Sequence, residues 1–133
     1  MGRSLIQTVN QSTQEVAENG IISLGSVVRR YGCNQWLSGD ALEINGDGYY
    51  KIDGAVVIAP TAAGDVTVAL FDNGIQIPGA IATGSITTVG NSTTLPFVAT
   101  IRKSCCDGVS AITCRLVDGA GTVSNIAVRS ERS

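Results

Sequence analysis

Histidine is absent from this 133-residue sequence, and charge is scarce. Without histidine there is no Ser–His–Asp triad, no Cys–His pair and no imidazole ligand for a metal. The commonest general base near neutral pH is missing too. Charged residues make up 15% of the chain, against about 25% in an ordinary soluble domain. The net charge is −2 and the basic residues are scattered. Arg29-Arg30 and Arg102-Lys103 are pairs only, and neighbours on a strand point to opposite faces. No basic field exists to hold nucleic acid. No apolar run approaches the roughly 20 residues of a membrane-spanning helix. The opening MGRSLIQTVNQSTQEVAENG lacks the apolar core of a secretory signal. Ile6 stands where a myristoylation motif takes Ser or Thr. The expectation is a protein with neither nucleic-acid nor membrane partners, made and used without general secretion.

What the chain has is apolar: 44% of its residues are hydrophobic. A chain of this length forms one domain with a single core. A small domain has much surface to cover, so the shortage of charge points to burial against other subunits.

The patterning is that of strands. After a polar stretch over residues 1–20, read as an arm or peripheral strand, IISLGSVVRRY is a β-branched run with a bend or bulge at Gly25. Residues 32–48 read as irregular, ending in the turn signals Asn45-Gly46 and Asp47-Gly48. Then Tyr50, Ile52, Val56 and Ile58 share one face of a strand; Tyr49, Lys51, Asp53, Ala55 and Val57 share the other. Gly54, on the first face, marks a close approach by a neighbour. DVTVALFD (65–72) is apolar on both faces near Leu70-Phe71. Asn73-Gly74 turns into a short IQI strand, and Pro78-Gly79 turns it again. Residues 81–89, 93–103, 109–117 and 121–129 complete eight to nine strands. Even spacing with Gly-rich turns predicts an all-β antiparallel sandwich or barrel.

No constellation of catalytic side chains emerges. Asp40 with Glu43, and Asp47 with Asp53, lie in turn-rich segments where carboxylates bond their own backbone. A calcium site on Asp47 or Asp72 is the sharper alternative. With a two-residue turn at Asp107-Gly108, Cys114 opposes Ile101 and lies about 13 Å along the strand from Cys105, at ~3.3 Å per residue. A disulfide requires Cα atoms within about 7 Å, so the expectation is free, mostly buried thiols. The paired CxxC spacing of a zinc site is absent. Neither a metal nor another cofactor is expected. Trp36 and Tyr31 are either interface anchors or a cap over the sandwich end.

Gly48-Tyr49-Tyr50 with Ile52, followed by Val66, Val68, Ala69, Leu70, Asn73, Gly74, Ile77, Pro78 and Gly79, resembles the tumour-necrosis-factor/C1q-like jelly roll. The narrower resemblance is to its short bacterial and phage branch, over roughly residues 46–130. That resemblance implies a homotrimer around a three-fold axis, serving as a spore-coat tip, fibre head or capsid ornament. Residues 1–45 hold no collagen-like Gly-X-Y repeat of the spore-surface kind and depart from the spore-surface pattern.

The expectation is therefore a non-enzymatic virion protein, a trimeric capsid decoration or head-fibre protein made in the host cytoplasm. Residues 1–20 form an N-terminal arm or peripheral strand and 21–133 the jelly roll. Tyr50, Val56, Phe97 and Ile112 are expected between subunits. Leu5, Ile6 and Val9 are expected to dock on the major capsid protein or another virion protein. A host-glycan module using the loops at 60–65, 79–84 and 90–93, or a spore-surface protein, is the alternative.

Overall fold

The computed structural model describes residues 4–104 and 108–132. These residues form two antiparallel sheets packed face to face, with no helix among them. The first sheet runs β10 (Thr93–Lys103), β7 (Gly48–Pro60), β12 (Gly121–Arg132), β1 (Ser4–Asn10) and β4 (Ser26–Tyr31), with β2 (Gln14–Val16) also on β12. The second runs β5 (Gln35–Ser38), β6 (Ala41–Ile44), β11 (Ser110–Asp118), β8 (Gly64–Asp72) and β9 (Ile75–Ile86), with β3 (Ile21–Ile22) on β11.

The period of two builds the core. From the first sheet, Tyr50, Ile52, Val56 and Ile58 point inward beside Leu95, Val123, Ile126 and Val128. They meet Val66, Val68, Leu70, Ile112, Cys114 and Leu116 from the second. Each large aliphatic side chain buried this way contributes about 1.5–3 kcal/mol. The Asn73-Gly74 hairpin forms as the sequence predicts. Both residues adopt positive φ, 51° and 87°, the left-handed pair a tight hairpin turn needs. Asn73 also accepts a hydrogen bond from the Ala111 amide at 2.9 Å through Oδ1, which ties the hairpin to β11.

Several elements differ from the sequence expectation. Residues 4–10 are not an arm: β1 lies inside the first sheet, hydrogen-bonded to β12 on one side and β4 on the other. Its inward positions are Ser4, Ile6 and Thr8, and two polar residues in three hide the apolar alternation. The run 21–31 is two strands in different sheets, separated at Gly25. The stretch 32–48 holds the β5–β6 hairpin. Pro78-Gly79 is an irregularity within β9 rather than a turn, because pairing with β8 resumes beyond it at Ile81. Strands β10 and β11 do not pair; they lie in opposite sheets. Cys114 therefore faces Leu70 and Ile22 across the ladder, not Ile101. These extra short strands bring the count to twelve among the described residues.

Candidate functional site

The sandwich interior accounts for one face of each sheet. The outer face of the first sheet is less easily accounted for. The registers align Val9, Ala127, Ala55 and Pro96 in one row across four strands. The next row toward the Arg132 end of β12 is Arg29, Gln7, Arg129, Asp53 and Val98. Beyond it lie Tyr31, Leu5, Glu131, Lys51 and Thr100. On the other side of the apolar row, Asn125 aligns with Val57 and Thr94. The small side chains of the middle rows leave a shallow depression of about 470 Å³ lined by Ala55, Pro96, Val98, Ala127, Gln7 and Arg129. Val98 at its rim is 63% exposed.

Charge on this face is confined to the rows on one side of the apolar row, where Arg29, Lys51, Asp53, Arg129 and Glu131 stand, and one ion pair forms among them. Arg129 lies 3.4 Å from Asp53, with both side chains about half exposed. A pair in that setting is worth about 0–1 kcal/mol. The guanidinium of Arg102 sits 5.8 Å from the centre of the exposed Tyr49 ring. The Oδ1 atom of Asn125 is buried without a hydrogen-bond partner. A row of small apolar residues of this kind can pack closely against another protein surface.

The residues expected between subunits lie elsewhere. Tyr50, Val56 and Ile112 are wholly buried within the single chain, and Phe97 nearly so. Their alternation marks the interior face of one sandwich, which leaves these side chains no surface for a second copy. The Tyr50 hydroxyl accepts from Asn34 Nδ2 at 2.8 Å and lies within reach of the carbonyls of Asn45 and Gly46. It thereby clamps the turn into β7, and burial raises its pKa. Phe97 lies across the ladder from Gly54. A Cβ at position 54 would meet the Ala127 carbonyl oxygen first and the Phe97 ring at 3.1 Å, so the close approach is made by the β12 backbone together with Phe97.

Ile6 of the docking trio is fully buried in the core; Leu5 and Val9 are partly buried on the outer face. Of the loops considered for glycan contact, residues 79–84 belong to β9. Trp36 is half-buried in β5 and Tyr31 half-exposed at the end of β4. Cys33 is exposed and Cys114 buried, both as free thiols. Burial pushes the Cys114 thiol up to about 12. The readings that involve Cys105, Cys106 and Asp107 lie outside the described residues.

Sequence reasoning missed Ala55, Pro96, Val98 and Ala127 as a surface because small apolar residues carry little signal. The available hint was that β7 has Ala55 and Val57 on the face opposite Val56 and Ile58.

Polar groups inside the sandwich are few, and apart from the unpartnered Thr8 hydroxyl the main ones bond one another. Gln35 donates from Nε2 to Ser4 Oγ at 2.8 Å and accepts through Oε1 from Ser130. Lys103 donates to Ser110 Oγ at 2.7 Å. Among the described residues, no three Cys, Asp or Glu side chains converge as a metal site would require.

No family model matches the chain, and no curated protein matches it in sequence. Solved structures do match. Murine APRIL at pH 8.5 superposes with a TM-score of 0.75 at 12% identity, over 99% of this chain and 100% of that one. The globular domain of zebrafish complement 1qA gives 0.70 at 9% identity, over 97% and 98%. Vertex protein P5 of PRD1 gives 0.63 at 11% identity, over 97% and 96%. At such identities the shared property is the fold, and the fold of this chain is the tumour-necrosis-factor/C1q-like jelly roll.

Proposed function

We propose that this chain is a non-enzymatic structural protein of a virion. It acts as a homotrimer in which the outer face of the β10–β7–β12–β1–β4 sheet turns toward neighbouring copies. The observation that carries the reading is the apolar row Val9, Ala127, Ala55 and Pro96, which crosses four strands of that face. Burying this row removes apolar area from water, and the charged rows on one side of it form the rim of the contact. A surface patch on one copy that meets a different patch on the next closes into a ring when the rotation between copies divides a full turn, a third of a turn for a trimer. The fold likeness to the PRD1 vertex protein supports a virion setting. Within it, the role is capsid decoration or a head fibre, with the major capsid protein or another virion protein as partner.

Docking through Leu5, Ile6 and Val9 as a free arm would require β1 to leave the sheet and expose Ile6. In the present reading β1 stays, and Leu5 and Val9 belong to the trimer-facing surface.

Native mass spectrometry of the full-length chain tests the assembly. A trimer is expected, and Ala127→Glu should yield a folded monomer, because three carboxylates would enter a dry apolar interface. A wild-type monomer at micromolar concentration, or a trimer indifferent to A127E, rejects this face as the interface.

A further inference from the structure

The four edge strands of the sandwich are not equally protected. On one side β9 and β10 pack against each other across the two sheets. On the other, β5 carries the buried Gln35, but every residue of β4 is exposed. Strand β4 pairs only with β1, so its second edge presents unpaired backbone groups. Its sequence, SVVRRY, contains no proline, so every residue keeps its amide donor. Val27, Val28 and Tyr31 are 40%, 49% and 50% exposed. This apolar surface is more than a solvated edge needs.

Charges and bulges ordinarily guard such an edge. Here the register shift opposite Gln7 and Thr8 leaves Val28 as the extra residue, and the two charges are both positive. Arg30 is engaged: its Nε donates to the Gln35 carbonyl at 2.8 Å. Arg29 stands opposite Gln7 and makes no ion pair among the described residues. A strand added beside β4 would cover the valines and bring a side chain opposite Arg29. A second copy of β4 cannot neutralise that arginine, since it has no acidic residue.

We propose that the free edge of β4 accepts an extended, acidic strand with alternating apolar side chains from another polypeptide. Main-chain hydrogen bonds provide the pairing, the valines take the apolar positions, and Arg29 selects for an acid. The edge is free in a single chain, but Arg29 shares the outer face of the proposed trimer contact, so every measurement below is made on the A127E monomer as well as on the wild type.

The test uses two capped ten-residue peptides, one alternating valine with glutamate and one alternating valine with lysine. Each is titrated into the full-length protein by fluorescence anisotropy, with amide hydrogen exchange to locate the contact. The glutamate peptide should bind saturably and protect amides within 26–31. The lysine peptide should bind about fivefold more weakly, the scale of a well-placed exposed ion pair. Arg29→Glu, at an exposed position, should reverse the order. Absent saturable binding, protection elsewhere in the fold, or an order unchanged by R29E would overturn the proposal. Concentration-dependent protection of 26–31 without any peptide would overturn it as well, by showing that another copy occupies the edge.

Discussion

The two faces of β7 carry apolar residues of different sizes, and they have different fates. Inward, Tyr50, Ile52, Val56 and Ile58 are buried to the last few square ångströms. Outward, Ala55, Val57 and Ala59 remain only partly covered. Large side chains fill the space between the chain's own sheets, where each added methylene is worth about 0.8 kcal/mol. Small ones flatten a surface that another backbone can approach. Hydrophobicity alone therefore does not identify a core: Val56 and Val57 are the same residue, and the second sheet covers the first of them.

The contrast can be broken most sharply by truncation on either side. Ile52→Ala should lower unfolding free energy by about 2–5 kcal/mol, since a cavity opens between sheets that cannot close on it. Val98→Ala on the outer face should change the stability of the separated subunit by less than about 0.5 kcal/mol. Urea unfolding of both variants, made in an A127E background to keep the comparison monomeric, checks the pair. Equal losses would mean that the two faces are not distinct.

Gly54 tests the same boundary from the backbone. A Cβ there would press on the Ala127 carbonyl oxygen and the Phe97 ring. Gly54→Val should cost about 1–3 kcal/mol through overpacking. Pairing it with Phe97→Leu, which relieves only the ring contact, should recover part of that loss. The recovered fraction, read from melting temperatures, separates side-chain crowding from backbone crowding.

The smallest effect near neutral pH concerns Cys114, which the inner face keeps as a neutral thiol. Its pKa stands at about 12 in the fold against an ordinary 9.0. The folded state therefore holds the proton more tightly than the unfolded one. Stability is unaffected below about pH 8 and falls as pH rises from about 9 toward 12, by about 1.4 kcal/mol per unit. Thermal unfolding at pH 8 and pH 10 should show a steeper loss in the wild type than in Cys114→Val. At neutral pH, thiol-specific alkylation should reach Cys33 while sparing Cys114.

Much of this fold was legible in the residues because period-two alternation is a local property. The strands at 48–60, 64–72, 93–103 and 110–118 stand in the structure close to where the pattern places them. The turn at Asn73-Gly74 was legible for the same reason, since positive φ is a preference of those two residues. The N-terminal third was not. Strand β1 is polar at two of its three inward positions, and Ser4 is satisfied only by Gln35, thirty-one residues away. A polar strand becomes a central one only when distant partners bond it.

The sequence by itself determined that the chain is all-β, which positions lie inward on its long strands, and that no histidine chemistry is available. Those follow from residue type and spacing along the chain. Only the tertiary structure decided that Tyr50, Val56 and Ile112 are filled from within one chain, that Pro78-Gly79 interrupts β9 without ending it, and that residues 4–10 belong to the sheet. Each depends on strands far apart in sequence and adjacent in space. Alternation states that a face is buried; the packing of the second sheet determines what buries it.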